Sequence, residues 1–335
     1  MGQRLAGIFR NRGEQRLRAG WRVLLFALLL GVVGSVAQIA LTQAADSLLS
    51  WLPRTLAQEV SRGLDGAIVT LTVTVGVALA GWLLDRRPFA DFGFHLGREW
   101  WTDFGFGLAL GGLLMAGIFA VELALGWVTV TDSWRGSGGL PFAVALLMPL
   151  IAFLFVGYYE ELLVRGYLLR NLAEGLRLGP INSRWALLLA WLLTSALFGF
   201  LHAGNPNAST VSSVNIGLAG LFLGLGILLT GKLAIPIGLH ITWNFFQGNI
   251  FGFPVSGTRV SDATLIAIRQ SGPDQWTGGA FGPEAGLIGL IAMAIGSGLT
   301  LLWVYRRTGR IAIHTPFAEY PKRNADNAET TDFRG

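Results

Sequence analysis

The chain has 335 residues, 52% of them hydrophobic and only 13% charged, where an average soluble domain is about 25% charged. It has no cysteine, which excludes disulfides, thiol catalysis and thiolate metal sites. The net charge of +5 would suggest nucleic-acid binding in a soluble protein, but here the basic residues are sorted by side, as set out below.

Residues 1–22 form a basic arm with Arg4, Arg10, Arg12, Arg16, Arg18 and Arg22. Eight apolar segments follow, at 23–42, 66–84, 104–126, 142–163, 186–203, 213–230, 233–249 and 285–305. About 20 apolar residues span the hydrocarbon core of a bilayer. There they must be helical, because lipid offers the backbone no hydrogen-bond partner. The pattern predicts an all-α fold, a polytopic transmembrane bundle of about eight helices, with one membrane-embedded domain over 23–310 and no separate soluble domain. The first run continues past Ser35-Val36-Ala37 to Leu41, which suits an anchor better than a cleaved signal peptide. The fifth to seventh runs are the shortest and most polar. Gly107-x-x-x-Gly111 and Gly220-x-x-x-Gly224 have the spacing that lets helices approach closely, and they predict packing faces inside the bundle.

Most of the basic residues fall on the arm, the alternate loops and the C-terminal end; the opposite side holds only Arg54, Arg62, Arg135, Arg259 and Arg269. The positive-inside rule then places both termini in the cytoplasm. The stretch 250–283 is rich in Gly but has too much apolar surface, with Phe251, Phe253 and Trp276 among others, for disorder. It predicts an ordered extracytoplasmic cap that either lies over a site as a lid or merely seals the bundle. The tail, 311–335, is polar and is expected to be a disordered cytoplasmic segment carrying Lys322, Arg323 and Arg334.

Ionisable groups inside lipid cost several kcal/mol or more and mark functional candidates. Three places carry them. Glu160-Glu161 precedes Arg165 in a long apolar helix. Glu161 and Arg165, four apart, share a face and can pair. Glu160 is rotated by about 100° and is left free to act as a general base. Phe198 and His202 end the fifth apolar run at the same spacing, and His240 and Asn244 repeat it in the seventh. Each pair alone also fits a surface ion pair, an interfacial histidine or packing glue. Together, one acid, two imidazoles and one amide form an inventory that can activate water and stabilise an oxyanion.

The ordered series Glu-Glu-x-x-x-Arg, Phe-x-x-x-His and His-x-x-x-Asn resembles the CPBP intramembrane endopeptidases, the CAAX prenyl protease and bacteriocin-processing family also called Abi proteins. The resemblance is strongest over about 100–250, with a motif core at about 141–250. It implies peptide-bond hydrolysis in the membrane, with Glu160 and His202 activating water and His240 and Asn244 forming the oxyanion site. Glu161, Arg165 and Phe198 would support them. It leaves open a zinc site made by Glu160, His202 and His240. The metal-free arrangement is favoured, because Asn244 beside His240 suits a donor pair better than a ligand pair. There is no His-Glu-x-x-His, no Gly-x-Ser-x-Gly and no Gly-x-Gly-Asp, so zincin, serine and aspartyl signatures are missing.

The implied partners are the lipid bilayer and a membrane-associated peptide or protein, in a bacterial cytoplasmic membrane, where bacteriocin immunity or processing of an anchored peptide would be expected. The competing reading is a non-catalytic transporter, scaffold or bacteriocin-immunity-type regulator that uses the same polar residues for packing or proton relay. Convergence separates the two, since hydrolysis needs Glu160, His202, His240 and Asn244 at one point. The span boundaries create a tension here. They put Glu160 near the inner end of its helix and His202 near the outer end of the next.

Overall fold

The computed structural model describes residues 8–11, 13–137 and 139–320. Arg4, Arg12 and the stretch 321–335 lie outside them, as do the side chains of Arg54 and Arg62. A short antiparallel ladder, β1 (Arg10–Asn11) with β2 (Arg16–Leu17), precedes the helices. The chain then forms α1 (Ala19–Leu49), α2 (Arg54–Ala80), α3 (Arg98–Ala124) and strand β3 (Val128–Arg135). The helix α4 runs unbroken over Phe142–Gly175, with a π-helical stretch at Leu162–Leu168. It is followed by α5 (Ser183–Leu201), α6 (Thr210–Thr230), α7 (Ala234–Phe245), strand β4 (Thr264–Gln270) and α8 (Leu287–Thr308).

Local signals explain several boundaries. Asn182 caps α5 by accepting from the Trp185 N–H at 3.1 Å, and Ser209 with Ser212 forms a capping box at the start of α6. Gly231 and Gly309 end α6 and α8 in the left-handed conformation.

Among the described residues, seven helices are long and apolar enough to cross a membrane: all but α7. Large apolar side chains such as Leu28, Val32, Leu113, Phe200 and Val214 face outward, as a lipid-facing surface requires. The helix α7 has only 12 residues before its π turn, Phe246–Ile250, and its residues from Ala234 to Ile241 are all buried. It is the axis of the bundle. Gly107 and Gly111 of α3 lie against its backbone: a Cβ on Gly107 would stand 2.5 Å from the Ile235 carbonyl oxygen and one on Gly111 2.5 Å from that of Leu239. Gly220 and Gly224 of α6 make the matching approach to Ser195 and Trp191 of α5. Both small-residue motifs are therefore faces inside the bundle, and they seat the two helices that carry the histidines.

Two expectations are corrected, and the expected fold class gains a detail. The span expected at 142–163 extends to Gly175, because Glu161 and Arg165 neutralise one another within the helix and do not end it. The fold is a helical bundle, but β3 and β4 pair antiparallel, from Val128↔Gln270 to Arg135↔Thr264, so a two-stranded ribbon lies at one end. The tail expected to be disordered from 311 is packed as far as Tyr320. Phe317 is 1% exposed under the Arg170 guanidinium, 3.9 Å from its ring, and the Arg16 guanidinium lies 3.7 Å over Tyr320.

That packing belongs to a buried ion cluster. Glu174 accepts from Arg16 at 2.6 Å and from Arg22 at 2.9 Å, and it also pairs with Arg87. Arg22 pairs with Asp85 as well, and Arg87 donates to the Glu319 carbonyl at 2.7 Å. The basic arm and the tail up to Tyr320 thus meet on one face of the bundle.

Candidate active site

Three helices bring the four candidate residues to a cavity of about 170 Å³. Glu160 comes from α4, His202 from the C-cap of α5, and His240 and Asn244 from α7; all four line it. Its walls are mostly apolar, with Phe153, Val156, Phe222 and Trp243 among them. The tension in depth resolves through the length of α4. Glu160 lies 15 residues, about 22 Å, from the end of α4 at Gly175, and His202 lies 19 residues, about 28 Å, from the start of α5 at Ser183. Measured from the same face, the two are at similar depth.

Glu161 is fully buried. Its Oε1 accepts from Arg165 Nη1 at 2.9 Å and from His240 Nδ1 at 2.8 Å. With that oxygen accepting from Arg165, the bond to His240 is made with the imidazole donating through Nδ1. The opposite nitrogen, Nε2, then looks toward Glu160 Oε2, 3.9 Å away. The two acids do sit on different sides of their helix, yet both address the same imidazole, one at each ring nitrogen. Glu160 Oε2 accepts no hydrogen bond from the described residues.

His202 Nδ1 donates to the Phe198 carbonyl at 2.7 Å, which leaves Nε2 as its acceptor. Phe198 itself is the hub of the three motifs. The Arg165 guanidinium lies 4.2 Å over its ring, the His202 ring centroid is 4.6 Å away, and the His240 ring meets it edge-on at 6.3 Å. Arg165 also donates to the Gly220 carbonyl at 3.3 Å, which ties α4 to α6.

The zinc set drawn from Glu160, His202 and His240 is not formed: among the described residues, no three His, Asp or Glu side chains gather closely enough to hold a metal ion. Each histidine commits Nδ1 to an oxygen acceptor, which leaves its Nε2 toward the site.

The cavity also holds groups that the sequence reading passed over. Glu284 and Ser256 line it, together with Val255, Thr258 and Val260 of the segment expected to be a cap. Glu284 is 3% exposed. Burial raises its carboxyl to about 7, although hydrogen bonds from Ser256 and Gln247 work in the opposite direction. The signal for it was an acid directly before the last apolar run, in Gly282-Pro283-Glu284.

Residues 142–246 match the family model described as Rce1-like, type II CAAX prenyl endopeptidase Rce1-like. The match runs from the first residue of α4 to just past the end of α7 and contains all three motifs. It is consistent with a CPBP family protease and supports a hydrolase embedded in a membrane. No curated protein and no solved structure matches the chain.

Proposed function

We propose that this protein is an intramembrane endopeptidase in which Glu160 and His202 activate water and His240 with Asn244 receives the oxyanion. The observation that carries the reading is the convergence of these four side chains on one cavity from three helices. A proton relay would string its polar groups across the bilayer.

In the proposed reaction, a water between Glu160 Oε2 and the substrate carbonyl gives its proton to Glu160 as its oxygen attacks carbon. His202, with Nε2 free to accept, assists that transfer. The tetrahedral intermediate places its negative oxygen toward the Asn244 amide N–H and toward His240, which donates to it only with a hydrogen on Nε2 as well as on Nδ1. Glu161 fixes the His240 ring, with Arg165 behind it. The proton held by Glu160 then passes to the leaving nitrogen as the C–N bond breaks, releasing a free amine and a carboxylate. As proposed, the reaction runs on protein groups alone. The substrate is a membrane-associated protein or peptide, since the cavity lies within the bundle and has mostly apolar walls.

In this reading the membrane is that of a bacterial cell, and the Arg content of the face with the basic arm and the packed tail supports a cytoplasmic position for it, with the β3–β4 ribbon on the opposite side. The test is Glu160→Gln in the purified, membrane-reconstituted protein and in a comparison of membrane proteomes. Cleavage of membrane-anchored peptides should disappear while the protein still inserts and folds. Full hydrolysis by Glu160→Gln would end the reading.

A further inference from the structure

The segment between α7 and α8 brings a second acid into the cavity. Glu284 sits on a short turn, Pro283–Ala285, and its carboxylate is committed to the cap. Oε1 accepts from the Ser256 backbone N–H and, at 3.3 Å, from the Ser256 hydroxyl. Oε2 accepts from the Gln247 amide, which also donates to the Pro254 carbonyl at 2.6 Å.

Ser256 belongs to a tight turn, Val255–Thr258. Val255 and Thr258 exchange both backbone bonds, at 2.8 and 2.9 Å. The central residues have positive φ, 46° at Ser256 and 82° at Gly257, as a type I′ turn requires. Asn205 donates to the Ser256 carbonyl at 2.9 Å and Asn207 to that of Gly257 at 3.2 Å. The Gly257 N–H donates to the Phe281 carbonyl at 2.7 Å. Every main-chain N–H and C=O of the four residues is therefore engaged inside the protein.

Such a turn cannot add a strand to an extended peptide, because it has no main-chain group to offer. What it presents to the cavity is side-chain shape, with Val255 buried and Thr258 exposed. A non-glycine residue at positive φ is held only where its surroundings over-determine it, and Glu284 is one of the groups that hold Ser256.

We propose that Glu284 is a positioning residue and that the Val255–Thr258 turn it fixes is the selectivity wall of the site, choosing among peptides by the bulk of the residues that flank the bond. This rests on the endopeptidase reading, and the experiment separates the two.

Full-length Glu160→Gln protein in lipid nanodiscs is titrated with membrane-anchored peptides in which one Ala-to-Trp replacement is moved through the positions flanking the cleavage point. The readout is the ratio of Trp to Ala dissociation constants. The parent should reject Trp at one or more positions by at least tenfold. Glu284→Ala should lower that ratio by at least tenfold, while Glu284→Gln, which keeps an acceptor oxygen for the Ser256 N–H, should hold it within threefold. A parent that binds Ala and Trp peptides alike, or a Glu284→Ala ratio equal to the parent's, overturns the proposal. Should Glu284→Ala fail to fold, Thr258→Ala at the exposed mouth gives the same readout; a ratio shifted at least threefold supports the wall and an unchanged ratio removes it. Hydrolysis is followed in parallel with Glu160 restored. Selective binding without hydrolysis removes the protease reading and keeps the wall, whereas hydrolysis with flat selectivity removes the wall and keeps the protease.

Discussion

The guanidinium of Arg165 lies 4.2 Å over the ring of Phe198, so the cation of the first motif rests on the aromatic of the second. The same ring supports His202 and meets the edge of His240. A cation over an aromatic face is worth about 0.5–2 kcal/mol, but the larger consequence is positional.

Phe198→Leu keeps an apolar side chain of similar reach while removing the flat surface that seats both rings. It should reduce peptide hydrolysis by at least tenfold and lower the unfolding temperature only modestly. Unchanged turnover in a steady-state assay would show that the ring does not set the histidines.

Glu161→Ala takes the partner from a buried Arg165 and the acceptor from His240 Nδ1 together. Breaking a buried ion pair from one side costs about 3–5 kcal/mol. Thermal unfolding in detergent should show a loss of that order, with hydrolysis abolished. A variant as stable as the parent would mean that Arg165 has another anion to turn to.

Gly111→Val places branched bulk where the α7 backbone already stands 2.5 Å from a Cβ position. The helices α3 and α7 must then separate, which displaces His240 and Asn244 from Glu160. Hydrolysis should be lost at a temperature where circular dichroism still reports a helical bundle. Gly105→Val, where a Cβ would meet nothing within 4 Å, is the control and should remain active.

Glu284 sets a pH dependence of stability. Its carboxyl is raised by burial, from an ordinary 4.5 to about 7. Between those values the folded protein binds more protons than the unfolded chain, so stability falls as pH rises through this window. The stabilisation is fully present below about 4.5 and lost above about 7. Melting temperatures of Glu284→Gln should lose this component, and the two curves should differ most in slope between pH 5 and about 7. Parallel curves would show that Glu284 keeps the same proton affinity in both states.

The residues of the candidate site were easier to pick out in the sequence than their depth in the bundle. Glu160, His202, His240 and Asn244 stood out because ionisable and amide groups are conspicuous in apolar runs. Their depth did not, because Glu160 to Arg165 reads as a helix leaving the membrane. Only the pairing of Glu161 with both Arg165 and His240 explains why α4 can stay inside. The strand β3 alternates as Val128-Thr129-Val130-Thr131, a pattern open to reading, yet its partner β4 lies more than a hundred residues away and gives no local cue. Glu284 was hidden by its neighbours, since an acid in a Gly- and Pro-rich stretch looks solvated until Gln247 and Ser256 are found closing over it.

The ion cluster that joins the basic arm to the tail has a consequence for how the chain is made. Arg16 and Arg22 emerge from the ribosome early, Asp85 and Glu174 much later, and Phe317 to Tyr320 last of all. The first two arginines must wait, hydrated or held against lipid headgroups, until their anions are synthesised, and the cluster is closed over only once Phe317 to Tyr320 have followed. Assembly of this face therefore waits for residues 317–320: a nascent chain arrested after α8 would carry the helices of the candidate site but lack the seal on this face.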